Sequence, residues 1–563
     1  MTDVRPRTTG VLREGRAGNP RPLLRRKLRR DLAATRWQVV AVVLTVLLGV
    51  LLFAASFDAF RNLTASYQQT YDDLAFADLV ISGGEQQDLA DLVAAEPGVA
   101  VVEQRTQADV PVQVLRNGEA HTMLGRLVGM PSAGQPDVNQ VDVLTGDYLD
   151  PADESAVLVE KHMSDHFGLG PGDTVTALLA DGPRELTVRG TVASPEYLWP
   201  AQDRQSLFSL PDEFGVMFAA DELIARVPPG ALVDQTQAVY SDGVDVEALD
   251  DRLSALAYEA GASDVVTAED QASNAALSED LAAFGELSFM FPALFLSGAG
   301  FATFIILNRL VSSQRGQIGV LMATGLTRRE VLRHYVGYGL VVGTAGAVLG
   351  LLLGVPAGAL ITSTYTQLLS IPDTVVRFYW TTPLVGLLFG LVMGALSSWA
   401  PARSAVRVPP ALAMRGEVPE HDGGGRSLPE KLLPQVSRLL VRYRISLRGI
   451  GRHKTRSAAT VAGVALAIIL VLASWGMIDT IDRLLAKQFD VVAREDAQVF
   501  LTGSTTEPAV ESIEALPGVE AAEAVLSMGV TLVAGSGQYA TDLQAFQADT
   551  CLLYTSPSPR DTN

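Results

Sequence analysis

His162 and His166 stand four residues apart, with Glu160 and Asp165 beside them. On a helix that spacing puts two imidazoles on one face, where they could grip a divalent cation. No third ligand is evident, so solvated helix residues are the default and no metal is expected. The string His162-Met163-Ser164-Asp165-His166 offers no assignable serine triad. No G-x-x-x-x-G-K-[ST] loop for ATP phosphates, no H-E-x-x-H, no zinc-spaced Cys/His set and no EF-hand pattern occurs. No catalytic residue or cofactor is therefore expected, and the chain does not read as an enzyme. The local chemistry that stands out is basic. Asn308–Val331 reads NRLVSSQRGQIGVLMATGLTRREV, carrying Arg309, Arg315, Arg328 and Arg329, with Arg333 just beyond, against one acid, Glu330. Ile318, Val320, Leu321 and Met322 give this segment an apolar surface that nothing in the loop covers. Such a patch suits a docked cytoplasmic partner. The alternative is an interfacial helix among lipid headgroups. Gly325 should end the helix, and the next should restart after Thr327.

The basic segment is positioned by membrane spans. The chain has 563 residues, 48% hydrophobic, with a net charge of −20, and the apolar residues fall in blocks. Five charge-free runs exceed the length of about 18 residues that spans a bilayer core: Val39–Phe57, Leu287–Leu307, Tyr335–Ile361, Phe378–Ala402 and Ser457–Ile478. Ala54-Ala55-Ser56 resembles a signal-peptide cleavage site, but the preceding basic region is too long for that reading. The expected layout is a basic cytoplasmic N-terminus (1–37) and spans at 38–57, 287–307, 335–361, 378–402 and 457–478. Residues 58–286 form an extracytoplasmic domain and 308–334 a cytoplasmic segment. A cytoplasmic linker covers 403–456, and a second outer domain begins at 479–550. Residues 1–37 hold eleven Lys/Arg against three acids, whereas Asp58–Glu286 hold ten against 41. The excess of Lys/Arg places the N-terminus inside. The acidic outer domain argues against a nucleic-acid partner. Leu24, Leu28 and Leu32 recur among Arg25, Arg26, Lys27, Arg29 and Arg30. This is either an amphipathic helix on the inner leaflet or a plain extension of the first span.

The inserted domain reads as α+β. Strands are expected at Asp78–Ser82, Val99–Gln104, Asp109–Leu115, Ser155–Val159, Thr174–Leu179 and Leu186–Ala193, with helices at Lys161–Phe167, Val246–Ala260 and Glu269–Glu286. In the third span Gly346, Gly350, Gly354 and Gly358 recur every four residues, following Gly339 and Gly343. In the fourth, Gly386, Gly390, Gly394 and Ser398 do the same. Two such ridges allow close helix packing in lipid. No Asp, Glu, Lys, Arg or His lies within the five runs, which lowers ion-coupled or proton-pumping readings.

Asp31–Val114 aligns without a gap on Gly451–Ala534, at a constant offset of 420. Pro97-Gly98-Val99 meets Pro517-Gly518-Val519, Arg36 meets Arg456 and Gly83 meets Gly503. This points to an internal duplication whose second copy is truncated. The ending CLLYTSPSPRD (Cys551–Asp561) looks like a translated sequencing adaptor, against the alternative of a disordered Ser/Pro terminus. The single cysteine, Cys551, sits there, so the outer domain must fold without disulfides.

Asn308–Val331 resembles the cytoplasmic segment of FtsX-like ABC-transporter permeases, Arg-x-x-Glu-Ile-Gly-x-x-[small or basic]-Ala-x-Gly. Arg315, Ile318, Gly319, Ala323 and Gly325 match, and Gln317 replaces the frequent Glu. Pro401–Arg407 with Pro409-Pro410-Ala411-Leu412 is similar to the family's ending after a last span. Glu154–Thr176 resembles the MacB-like extracytoplasmic core. The resemblance implies a polytopic α-helical membrane protein with an inserted extracytoplasmic α+β domain, in a bacterial cell membrane. It implies a separate cytoplasmic ATPase, as a dimer, docking through Arg315, Gln317, Ile318, Gly319, Leu321, Ala323, Gly325, Arg328 and Arg329. The implied function is export, or membrane extraction, of a lipid-linked, peptide or drug-like substrate. A non-transporting relay that activates an outer cell-wall hydrolase is the alternative. An extracytoplasmic protein partner is compatible with both.

Overall fold

The computed structural model describes residues 21–411 except 117–118, 180–181, 205–211 and 370, and then 454–488, 492, 494–497, 499, 507–534, 537–547 and 550. Arg116-Asn117-Gly118 signals a hairpin turn in the sequence; Asn117-Gly118, most of the 403–456 linker and the suspected adaptor lie outside these residues. The helices are α1 (Arg21–Ala34), α2 (Arg36–Asp73), α3 (Gln86–Ala94), α4 (Lys161–Phe167), α5 (Asp221–Ile224), α6 (Val246–Glu259), α7 (Ala272–Ser313), α8 (Arg315–Ala323), α9 (Arg328–Leu368), α10 (Thr381–Val406), α11 (Lys454–Lys487) and α12 (Glu507–Glu514). The strands are β1 (Leu79–Ser82), β2 (Val99–Arg116), β3 (Glu119–Met130), β4 (Asp142–Gly146), β5 (Ala156–Glu160), β6 (Thr174–Leu179), β7 (Gly182–Ala193), β8 (Phe214–Ala220), β9 (Leu232–Tyr240), β10 (Asp264–Thr267), β11 (Leu526–Ala534) and β12 (Gly537–Ala545).

The chain divides into two units. The first contains Met1–Phe57, Phe289–Gly358 and Tyr379–Ala473; the second contains Asp58–Ser288, Ala359–Phe378 and Ser474–Asn563. Five of the described helices are long and apolar enough to cross a membrane: α2, α7, α9, α10 and the Thr460–Lys487 part of α11. At 38, 42 and 41 residues, α2, α7 and α9 are about twice the roughly 20 residues a bilayer core requires.

Glycine sets the packing of the first unit. A Cβ on Gly350 would lie 2.7 Å from the Leu47 carbonyl oxygen, and one on Gly354 would lie 2.8 Å from the Ala54 Cβ. Gly346 likewise meets Val46. This ridge of α9 therefore seats α2. The α10 ridge does not face it. Gly390 and Gly394 meet the Gly343 and Gly339 carbonyl oxygens, earlier along α9 than the ridge that seats α2, and Gly386 meets Leu351. Gly358 is buried. Small residues let backbones approach this closely without a hydrophobic driving force.

In the second unit, two split β-α-β units form one lobe: β1–α3–β2 and β9–α6–β10, in sheet order β10-β1-β9-β2. Its core joins Leu79, Ile81, Leu89, Val93, Leu249 and Leu253. The other lobe is a closed ring of strands. β2 pairs β3, β3 pairs β8, β8 pairs β5, β5 pairs β7, β7 pairs β6, and β6 returns to β2. Closure removes free edges. Val112, Val159, Val175, Leu186 and Met217 share the core of this ring with Met163 and Phe167 of α4.

The two strands expected at 99–104 and 109–115 are one. β2 pairs β9 from Val99 to Ala108 and β3 from Gln107 to Arg116, changing partner just after the polar Arg105–Gln107 interrupts the apolar alternation. Arg105 is buried there in a bidentate pair with Glu196, both contacts at 2.6 Å. Long-range pairing thus overrides the local pattern.

Within this unit, parts of α2, α7 and α9 pack together. Leu63 and Tyr67 cluster with Leu277 and Ile371, and Tyr71, Phe284 and Tyr365 pack against them. The irregular strap after α9 is clipped along α2. Ser66 Oγ accepts from the Val375 N–H at 2.9 Å, and Asn62 Oδ1 accepts from the Arg377 N–H at 3.0 Å. Thr70 donates to Asp373 at 3.3 Å. Ser66→Ala leaves the Val375 amide unpaired, at a cost of about 1–3 kcal/mol. Hydrogen exchange at Val375 should quicken accordingly; unchanged exchange would mean the clip carries no load.

Helix α12 and strand β11 fall close to the 420-residue offset from α3 and β2. Gly98 and Gly518 both have positive φ, 108° and 97°. Such a turn strongly favours glycine.

Candidate partner-docking site

Helix α8 is set off at both ends. Only Gln314 separates it from α7. At its other end the Gly325 N–H donates to Met322 O and the Leu326 N–H to Leu321 O, both at 3.2 Å. With Gly325 at φ +98° this is a Schellman stop. Helix α9 then opens with a reciprocal capping box. Glu330 Oε2 accepts from Thr327 N at 2.9 Å, and Thr327 Oγ1 accepts from Glu330 N at 3.3 Å. The stop at Gly325 and restart at Thr327 are where local sequence chemistry puts them.

The expected open apolar patch needs correction. Ile318 is 1% exposed, packed with Leu307, Leu310, Val311, Val331, Tyr335 and Ala402, and Leu321 and Met322 pack against the same cluster. The ends of α7 and α10 and the start of α9 supply a cover that the loop itself lacks. Gly319 is buried too. Val320 remains 51% exposed. It shares the outward face with Gly316, Gln317, Ala323 and Thr324. Arg328, Arg329 and Gly325 are exposed beside it, while Arg315 is half-buried. The Arg315 Nε is buried with no hydrogen-bond partner among the described residues.

A polar network holds α8 from behind. Gln314 Oε1 accepts from Lys27 at 3.0 Å and from the Tyr335 hydroxyl at 2.8 Å, and Gln314 Nε2 donates to Asp31 at 3.2 Å. Tyr338 donates to Asp31 at 2.8 Å, and Lys27 forms an ion pair with Asp31. Burial opposes the Asp31 charge. The hydrogen bonds from Lys27, Tyr338 and Gln314 nevertheless hold its carboxyl below the ordinary value. The Lys27–Asp31 spacing is visible in sequence, but its partners some 280 positions away are not. Helix α1 is therefore no free extension of the span. Leu28 and Leu32 pack inward against the same cluster as Ile318.

The histidines serve the inserted domain. Glu160 caps α4, accepting from the His162 N–H at 2.7 Å and pairing with Nδ1 at 2.8 Å. His166 Nε2 lies 2.9 Å from Arg116. Among the described residues no group of three or more His, Cys, Asp or Glu could hold a metal. Burial opposes the charge on His162, yet the Glu160 carboxylate raises its pKa overall. Stabilisation from a raised pKa is complete below the unfolded value of about 6.5 and is lost as pH rises through the folded value. The chain's melting temperature should therefore fall more steeply from about pH 6 to about pH 8 than that of His162→Gln. Parallel slopes would refute the pairing.

Residues 289–410 match the family description "FtsX-like permease C-terminal", and residues 39–256 match "MacB-like periplasmic core domain". The lipoprotein-releasing system transmembrane protein LolC of Haemophilus influenzae is 33% identical over 115 residues, 20% of this chain and 28% of that protein. The macrolide export ATP-binding/permease protein MacB of Brucella abortus is 30% identical over 152 residues, 25% of this chain and 21% of that protein. The match thus spans under a third of either relative. The crystal structure of the periplasmic region of MacB from Actinobacillus actinomycetemcomitans aligns at 13% identity and a TM-score of 0.24, covering 38% of this chain and 97% of that one. With α8 inside a region that matches the FtsX-like permease family and a MacB-like periplasmic core domain inserted ahead of it, this membrane protein carries the two regions of FtsX-like, MacB-related ABC-type permeases.

Proposed function

We propose that the chain couples a separate cytoplasmic ABC ATPase to movement of its inserted domain. The observation that carries this reading is the outward face of α8, exposed between two stops and backed by a packed helix junction. A partner pressing on Val320 and Gln317 would move α8 as a block. Helix α7, which ends one residue before α8, begins at Ala272 and carries Leu277 of the cluster with Leu63, Tyr67 and Ile371. Coupling of this kind needs a packing with two discrete arrangements. The expected work is export, or extraction from the membrane, of a lipid-linked, peptide or drug-like substrate. The near-coincident elements at the 420 offset support a duplicated unit, and the arginine excess supports an inward N-terminus.

Val320→Glu combined with Arg328→Glu should weaken capture of an ATPase identified by its phosphate-cradling loop by roughly tenfold or more. It should also abolish stimulation of that ATPase without changing membrane insertion. Undiminished capture and stimulation would reject the docking face. Orientation is tested with Asp173→Cys in a Cys551→Ser background. Asp173 is exposed, so an impermeant thiol reagent should label the variant from outside. Labelling only from inside would reverse the topology.

A further inference from the structure

Helix α1 has a second face that the docking reading does not use. Its inward side carries Leu28, Leu32, Lys27 and Asp31. Its outward side exposes Arg25, Arg26, Arg29 and Arg30. Leu23, 71% exposed, lies in its first turn. Directly after it, Trp37 is 76% exposed at the start of the first span, with the Arg36 guanidinium 5.7 Å from its ring. Tryptophan beside arginine at the end of a span marks the headgroup level. Four guanidiniums on one face at that level complement anionic phosphate, which arginine grips through paired donors.

We propose that the outward face of α1 binds anionic phospholipid headgroups and that their occupancy is transmitted to α8. The route is short: Asp31 and Lys27, on the opposite side of the same helix, hydrogen-bond Gln314 at the residue that joins α7 to α8. A lipid that fixes α1 therefore fixes the hinge of the coupling helix. The lipid site stands on α1 alone. Its regulatory meaning rests on the docking reading.

The test uses the full chain in nanodiscs, without any ATPase, so its failure would leave the docking reading standing. Discs are made of phosphatidylcholine alone or mixed with phosphatidylglycerol, and hydrogen exchange is followed in 21–34 and 314–323. Phosphatidylglycerol should slow exchange in both segments, and high salt should weaken the effect. Each arginine near an anionic surface is worth roughly a fivefold gain in affinity. Arg25→Gln, Arg26→Gln, Arg29→Gln and Arg30→Gln together should lower retained phosphatidylglycerol, counted by native mass spectrometry, by roughly a hundredfold or more. Of these, only Arg30 reaches the inward network, 4.0 Å from Asp31, and the hydrogen bonds among Lys27, Asp31, Gln314 and Tyr338 do not involve the four arginines. Exchange in 21–34 that ignores phosphatidylglycerol, or inorganic phosphate reproducing the effect in phosphatidylcholine discs, would overturn the proposal. Slowing in 21–34 but not in 314–323 would overturn the transmission to α8.

Discussion

Gly343→Leu is expected to yield a chain that inserts but melts far below its parent. A Cβ on Gly343 would fall inside 3.0 Å of the Gly390 carbonyl oxygen, and one on Gly390 would sit 2.7 Å from the Gly343 oxygen. Both obstacles are backbone, so no rotamer change relieves them. The α9 and α10 axes must separate, and the contacts around Ala347 and Gly394 go with them. Overpacking of this kind costs about 1–3 kcal/mol, and more where backbone is the obstacle. Gly476→Leu in α11 is the control: nothing lies within 4 Å of a Cβ there, and leucine is the better helix former. Equal melting of Gly343→Leu and Gly476→Leu in detergent would refute the close approach.

Asp31→Ala should release α1. The substitution strands the Lys27 ammonium, removes the acceptor of the Tyr338 hydroxyl and frees one Gln314 donor. The pair is only partly buried, with side chains 15% and 12% exposed, and Lys27 keeps its bond to Gln314, so the cost falls below the roughly 3–5 kcal/mol of a fully buried pair. Trypsin should then cut at Arg25–Arg30 much faster than in the parent. Lys27→Met with Asp31→Leu removes both charges and should recover most of the protection. A double variant as labile as the single one would show that the ion pair is not what holds the helix.

Much of this architecture is readable from local signals. The spans follow from charge-free runs, α4 from its flanking strand and glycine, and the break at Gly325 from glycine followed by Thr327-x-x-Glu330. What was not readable depends on distant partners. Ile318 looks uncovered because its cover comes from Leu307, Tyr335 and Ala402. The two glycine ridges are plain as spacings, yet spacing says nothing of which helix each one meets. Helix α3 and strands β3, β4, β8 and β9 escaped because their burial is set by neighbours across the sheet. Gln314 has no local pattern at all; its role exists only once α1 and α9 stand on either side of it.

The clip on α2 has a mechanical corollary. Asn62 and Ser66 are one four-residue step apart on a helix, about 6 Å. The amides they hold, Arg377 and Val375, are two residues apart, about 6.6 Å in an extended chain. The two rulers nearly coincide. Sliding the strap by two residues would offer a fresh pair of amides to the same oxygens, with no intermediate setting in which both are satisfied. With both amides held, the strap cannot creep along α2 without breaking the two hydrogen bonds together.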